Sequence, residues 1–359
     1  MLMGMMALGV MAQEGKFTVT GTVKGQGRKA FYAVTDAWGG SIYNGDVSIT
    51  DDKVDFSFDL EEVGMLMVFY GRMLYMMPAV PGESVTISGD IDNYMLDGSP
   101  LYKEYNEAMT VIWPLLMAKD KYDFKQACRD EIVGKTSEQV FDLYQLRMKE
   151  QSQSINDAVL DFIGKHRDHE SSMMILNYLN SEELLEKARG LISDKVMNGR
   201  MNPYYEGALE KVKKNGLSNP LLGKLAPDFK LKKTNGKKLS LSSLRGKWVL
   251  LDFWHSGCSN ATIDFSTLKM LYNKYKNRVE ILGVDCIDQE QDWKTAVTTM
   301  DLPWINVFSD LDLEDLKSPM AIYGTTGTPT YFLISPSGKV AMRLTSANEF
   351  TYMCNLLFE

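Results

Sequence analysis

Cysteine is scarce in this chain. Its 359 residues carry four, Cys128, Cys258, Cys286 and Cys354, too widely spread for a disulfide scaffold or a zinc-ligand spacing. Positive charge is not in excess: the formal net charge is −8, which removes the electrostatic case for a nucleic-acid partner. After the first twelve residues, nothing reads as a transmembrane segment. Methionine, by contrast, is abundant, with 23 residues. Most of these read as core filler, because a flexible thioether fits irregular gaps, and a methionine-rich metal site is the alternative. The length is ample for two domains and a sizeable core.

The opening stretch MLMGMMALGVMA, residues 1–12, is apolar, too short to span a bilayer, and ends in Val-Met-Ala before Gln13. It reads as the apolar core and small-residue cleavage site of a signal peptide truncated at its start, since the basic leading region is missing. An apolar strand is the alternative. No cysteine follows the cleavage site, so lipid attachment at a mature N-terminal cysteine is not expected. An exported chain meets an oxidising compartment, where each free thiol needs a reason: burial, pairing or reactivity.

Residues 13–100 are β-rich in pattern. Phe17 and Val19 alternate, as do Val54, Phe56 and Phe58, and Val85, Ile87 and Ile91 continue the theme. Asn44-Gly45-Asp46 and Pro81-Gly82-Glu83 supply turn signals. Residues 101–222 turn helical. The periodicity is sustained from Glu138 to Ile163, and Ser181-Glu-Glu and Asn202-Pro203 mark helix starts. His166-Arg-Asp168-His169-Glu170 reads as a solvated charge cluster at a helix end, with a metal site as the alternative. Residues 223–359 read as α/β. A hairpin runs from Phe229 to Leu241 around Asn235-Gly236, and a closing hairpin joins Pro329–Ile334 to Val340–Leu344 around Ser337-Gly338. Two apolar runs lie between them, Trp248–Trp254 and Val279–Val284, the second compatible with a buried parallel strand. A helical stripe of Ala261, Phe265, Leu268, Tyr272 and Tyr275 follows the first run. Cys258 falls between strand and helix, where free backbone N–H groups and the helix dipole favour a thiolate.

Asp252-Phe253-Trp254, with Cys258 after three further residues, resembles the active-site strand and turn of thioredoxin-like thiol–disulfide oxidoreductases, in particular the branch used in extracytoplasmic thiol reduction. Ala226-Pro227-Asp228-Phe229 resembles the opening of such domains. VPGESVTISGD and LDGSPLYKEYNE, residues 80–90 and 96–107, resemble a β-rich domain of unknown function that often precedes them in exported proteins of Gram-negative anaerobes. The resemblance implies a periplasmic multidomain protein: an all-β N-terminal domain, a helical middle region and a C-terminal α/β thioredoxin-like domain. It implies a nucleophile at Cys258 and a buried acid at Asp252. It also implies a loop, Gly327-Thr328-Pro329-Thr330, whose proline is cis and lies against the cysteine. Trp254, Thr328 and Pro329 are then the substrate-binding positions, with backbone groups of Thr328 holding an extended segment. The implied partners are protein or peptide thiols and disulfides, and no cofactor or metal is required.

The chain also departs from the family's Trp-Cys-x-x-Cys motif. Gly257 stands at the tryptophan and Ala261 at the second cysteine, the one that resolves the mixed disulfide. Two readings follow. In one, Cys258 exchanges disulfides alone, resolved by an external thiol or by Cys286 at the end of the second apolar run. In the other, the domain is catalytically silent, Cys258 is an inert buried thiol, and the Thr328-Pro329 groove binds a peptide or partner protein. Asp252, which in the family helps deprotonate the second cysteine, then keeps a structural role. A peroxidase reading is weaker, because peroxiredoxins place threonine where this chain has His255. His255 itself reads as an exposed turn residue, with tuning of the Cys258 thiolate as the alternative.

Overall fold

Eight strands come first in the computed structural model, which describes residues 15–24, 30–71, 73–90, 93–214, 220–311 and 315–359. The signal-peptide reading of residues 1–12, and Ile91, lie outside these. The strands are β1 (Gly15–Thr22), β2 (Ala30–Thr35), β3 (Ser41–Val47), β4 (Lys53–Leu60), β5 (Gly64–Tyr70), β6 (Met73–Ala79), β7 (Ser84–Ser88) and β8 (Met95–Gly98). They form two four-stranded sheets, ordered β4-β1-β7-β8 and β3-β2-β5-β6. In β4, Val54, Phe58 and Leu60 are buried while Lys53, Asp55, Ser57 and Asp59 face solvent. This period of two gives the sheet one apolar face. Tyr32 of β2 stacks on Phe58 of β4, ring centroids 4.9 Å apart, so the two sheets share a core. Pro78 lies in β6, an edge strand, where a missing N–H costs least. Met77, Met173, Met174 and Met201 fill the same core. The helix Pro203–Lys214 approaches so closely that a side chain on Gly207 would begin 2.0 Å from the carbonyl oxygen of Ala37.

The chain divides into two units, Met1–Tyr122 with Met148–Leu217, and Asp123–Arg147 with Ser218–Glu359. The helical stretch therefore does not stand as a third. Residues 123–147 belong with the C-terminal sheet for a local reason. Trp248 is fully buried and its ring nitrogen needs an acceptor; it donates to Ser137 Oγ at 2.8 Å and meets Phe141 edge-on at 5.5 Å.

The second unit is built on a seven-stranded sheet of β9 (Lys230–Lys233), β10 (Lys238–Ser240), β11 (Trp248–Trp254), β12 (Val279–Asp285), β13 (Ile305–Phe308), β14 (Thr330–Ile334) and β15 (Val340–Leu344). Its order is β10-β9-β13-β12-β11-β14-β15. Every residue of β11 is buried, as expected of a central strand covered on both faces. Asp252 pairs with Gly283 of the parallel β12 and with Tyr331 of the antiparallel β14. Val249, Leu251 and Phe253 share one core with Leu282, Val284 and Phe332. Trp254, on the other face, meets Phe265 of the helix Ser259–Tyr275 edge-on at 5.4 Å. That helix buries Ala261, Phe265, Leu268, Leu271 and Tyr275. Leu271 takes the place expected for Tyr272, which is only partly buried; steps of three and four from Leu268 keep the apolar face aligned. Among the described residues, no helix is long and apolar enough to cross a membrane.

Candidate active site around Cys258

The chain leaves β11 at Trp254 and turns within residues 255–258. The Cys258 N–H donates to the carbonyl of His255 at 3.1 Å, closing the turn. Cys258 then takes the N-cap position of the helix Ser259–Tyr275 with extended backbone angles, and no side chain caps that helix. Its carbonyl accepts from the N–H and the hydroxyl of Thr262, at 3.2 and 3.1 Å. Its thiol reaches across to β14's loop and donates to the carbonyl of Thr328 at 3.4 Å. The Thr328–Pro329 peptide bond is cis. Thr328 is held from a second side, because its hydroxyl lies 2.7 Å from His255 Nδ1. The absence of a side chain at Gly257 leaves room for this arrangement. A Cβ there would lie 3.3 Å from His255 Nε2, and a larger group would displace the ring.

Buried acids lie behind the turn. Asp252 is fully buried, and neither carboxyl oxygen has a partner among the described residues. Burial, and then the charge of Asp264, hold its carboxyl well above the usual carboxylate range. Tyr331, its partner across the sheet, donates to Asp264 Oδ2 at 2.8 Å, and the Ala347 N–H donates to the same oxygen at 3.2 Å. Burial first, then the charges of Asp252, Asp264 and Cys258, push the Tyr331 phenol up. A second acid, Asp285, ends β12. One oxygen accepts the N–H groups of Ile287 and Asp288 at 2.8 and 2.9 Å, and the other has no partner among the described residues. Burial and the neighbouring Asp288 carboxyl raise its pKa. Asp288 in turn accepts the Ser256 N–H at 2.8 Å, tying the end of β12 to the cysteine turn.

Of the residues singled out in the sequence, the fold brings Thr328 and Pro329 to Cys258. Trp254 is placed elsewhere: it is 1% exposed and packed on Phe265, which leaves it no surface to offer a substrate. Cys286 shares the core of Val249, Leu251 and Phe253, on the sheet face opposite Trp254. Its thiol is pushed up to about 12, first by burial and then by Asp285. All four cysteines are buried, and none forms a disulfide. Ala261 is fully buried in the first turn of the helix. His255 is the residue that sequence reasoning placed in solvent and the fold places on Thr328; glycine at 257 is the signal that makes room for it. Asp264 and Tyr331 had no signal in their own segments. A group with metal-ligand reach, Glu107, His166 and His169, lies in the first unit.

Residues 222–343 match the family model described as AhpC/TSA. The thiol-disulfide oxidoreductase ResA of Bacillus thuringiensis subsp. konkukian is 35% identical over 124 residues, 34% of this chain and 69% of that protein. The ResA protein of Bacillus cereus is 33% identical over 141 residues, 39% of this chain and 76% of that protein. Among solved structures, the thioredoxin domain of a thiol-disulfide oxidoreductase from Bacteroides vulgatus is 29% identical and covers 38% of this chain and 97% of its own, with a TM-score of 0.35. Since the aligned region spans more than two thirds of both ResA proteins at these identities, the chain belongs, through its C-terminal domain, to the thioredoxin-like thiol-disulfide oxidoreductases.

Proposed function

We propose that this chain exchanges thiols and disulfides through Cys258 alone, in the cell envelope. The observation that carries the reading is the 3.4 Å contact between the Cys258 thiol and the Thr328 carbonyl at the head of an uncapped helix. A substrate strand laid along this loop offers an N–H to the same carbonyl. It then displaces the thiol hydrogen, and the proton leaves to solvent. The thiolate attacks one sulfur of the substrate disulfide, that S–S bond breaks, and the other sulfur departs as thiolate. Ala261 provides no thiol to displace the product, and Cys286 faces the other side of the sheet, so an external thiol completes the cycle. The envelope location rests on the apolar start and its Val-Met-Ala site. Recovering a mature chain that begins near Gln13 from the envelope fraction supports it, and intact Met1 in the cytoplasmic fraction removes it.

Ala261 also favours a second reading, a silent module that holds a peptide or partner protein at Thr328-Pro329. Turnover separates the two. The wild type is expected to reduce insulin poorly with dithiothreitol, while Ala261→Cys gains turnover, because a thiol at that position can resolve the mixed disulfide. If Ala261→Cys folds and stays inactive, the site does not support exchange and the binding reading takes its place.

A further inference from the structure

We propose that Glu107, His166 and His169 form a binding site for a divalent transition metal of the zinc class, in the first unit and apart from the thiol chemistry. Each residue offers one ligand atom, and the three atoms lie within 4.8 Å of one another. Zinc bonds to nitrogen and oxygen of about 2.0–2.1 Å set ligand atoms about 3.4 Å apart in a tetrahedron. Small side-chain rotations therefore close the set. Two imidazoles and a carboxylate are borderline donors that suit zinc, cobalt, nickel or copper rather than calcium or magnesium.

The backbone holds the histidines in place. His166 follows the helix Ser137–Lys165, its N–H bonded to the carbonyls of Phe162 and Ile163 at 3.0 and 3.2 Å and its ring stacked on Phe162 at 4.2 Å. The His169 N–H donates to the His166 carbonyl at 3.1 Å, which sets the two rings 4.6 Å apart. Ser172 fixes both, its hydroxyl donating to the His166 carbonyl and its N–H to that of His169, each at 3.1 Å. A further observation points to a ligand: His169 Nδ1 is buried without a hydrogen-bond partner among the described residues. The exposed Glu107 carboxylate, across on the helix Pro100–Asp120, is not committed to a side-chain hydrogen bond or ion pair among them. The acid nearest in sequence is already committed: Glu170 is held by Arg200 through bonds of 2.7 and 3.0 Å. Sequence reasoning treated these histidines as a solvated cluster with Asp168 and Glu170. The fold supplies a different carboxylate, from 59 residues upstream of His166. Three protein ligands leave one tetrahedral position for water or an added ligand.

The test is calorimetric titration of the tag-free full chain with zinc chloride, paired with the visible spectrum of the cobalt form. We expect one metal per chain in the micromolar range or tighter, a tetrahedral cobalt spectrum, and unchanged binding in Cys258→Ser. Because even outer-shell partners of a metal are worth about 10–100-fold in affinity, losing a ligand should weaken binding at least about 10-fold in His166→Ala, His169→Ala and Glu107→Gln. Glu107 is exposed, so Glu107→Gln decides the matter if the histidine variants fail to fold. Absence of binding in the wild type, or wild-type affinity in Glu107→Gln, overturns the proposal.

Discussion

Asp252→Asn should make the stability of the second unit less dependent on pH. The native carboxyl is fully buried with no partner among the described residues, and burial followed by Asp264 raises its pKa well above the ordinary value. In the unfolded chain it titrates near ~4. Between those two values the native state holds a proton that the unfolded state has released. The stability linked to this group is therefore complete below the unfolded pKa and is lost as the pH rises toward the folded one. The loss is ~1.4 kcal/mol per pH unit while the window lasts. Asparagine has nearly the same shape and no charge to bury. Its own unsatisfied amide carries a cost that does not change with pH, so the slope isolates the ionisation. The variant should therefore gain stability on the wild type as the pH rises from about 5 to 7. Urea unfolding of the full chain, followed by tryptophan fluorescence, reads this out, because four of the six tryptophans (Trp248, Trp254, Trp293 and Trp304) lie in the second unit. A stability difference that stays flat from pH 5 to 7 would mean that Asp252 ionises normally in the fold, and the reasoning from burial would fail.

Three further outcomes are expected. Gly283→Ala should cost about 1–3 kcal/mol in denaturant unfolding, because the new Cβ would stand 2.4 Å from Asn306 Oδ1 and 2.8 Å from Trp254 Nε1; an unchanged midpoint would show that these side chains yield freely. In the native protein near neutral pH, Cys258 should alkylate well ahead of Cys286 and Cys354, whose thiols are pushed up to about 12, first by burial. Peptide mass spectrometry measures the order, and equal rates at the three sites would count against it. His255→Ala removes the bond to Thr328, worth about 1 kcal/mol, and should slow exchange with a peptide disulfide by about five-fold; a wild-type rate would leave His255 without a part in holding the loop.

Segments with strong local signals were legible before the fold. Trp248–Trp254 and Val279–Val284 read as apolar runs, and both hairpins of the second unit carry a glycine at positive φ, Gly236 and Gly338, where the chain must reverse. The sheet of β2, β3, β5 and β6 was harder to read. In β5 the residues between the buried positions are also half-covered, so Met65, Met67 and Phe69 blur the alternation that marks a strand. The place of residues 123–147 was not legible at all, since the bond from Trp248 to Ser137 spans 111 residues and neither segment announces the other. The site divides in the same way. Cys258, Thr328 and Pro329 carry their meaning in short motifs. The burial of Trp254, the placing of His255 on Thr328 and the pairing of Tyr331 with Asp264 depend on which elements lie side by side.

The most direct measurement of the central claim uses a small disulfide. The full chain, reduced and then mixed with oxidised glutathione, is quenched with acid and mapped by peptide mass spectrometry. Cys258 is expected to carry a glutathione adduct that persists, because no thiol at position 261 can displace it. Ala261→Cys should instead yield a disulfide between positions 258 and 261 with no retained adduct, and Cys258→Ser should give neither product. A wild-type Cys258 that stays unmodified while a model thiol reacts under the same conditions would contradict the account.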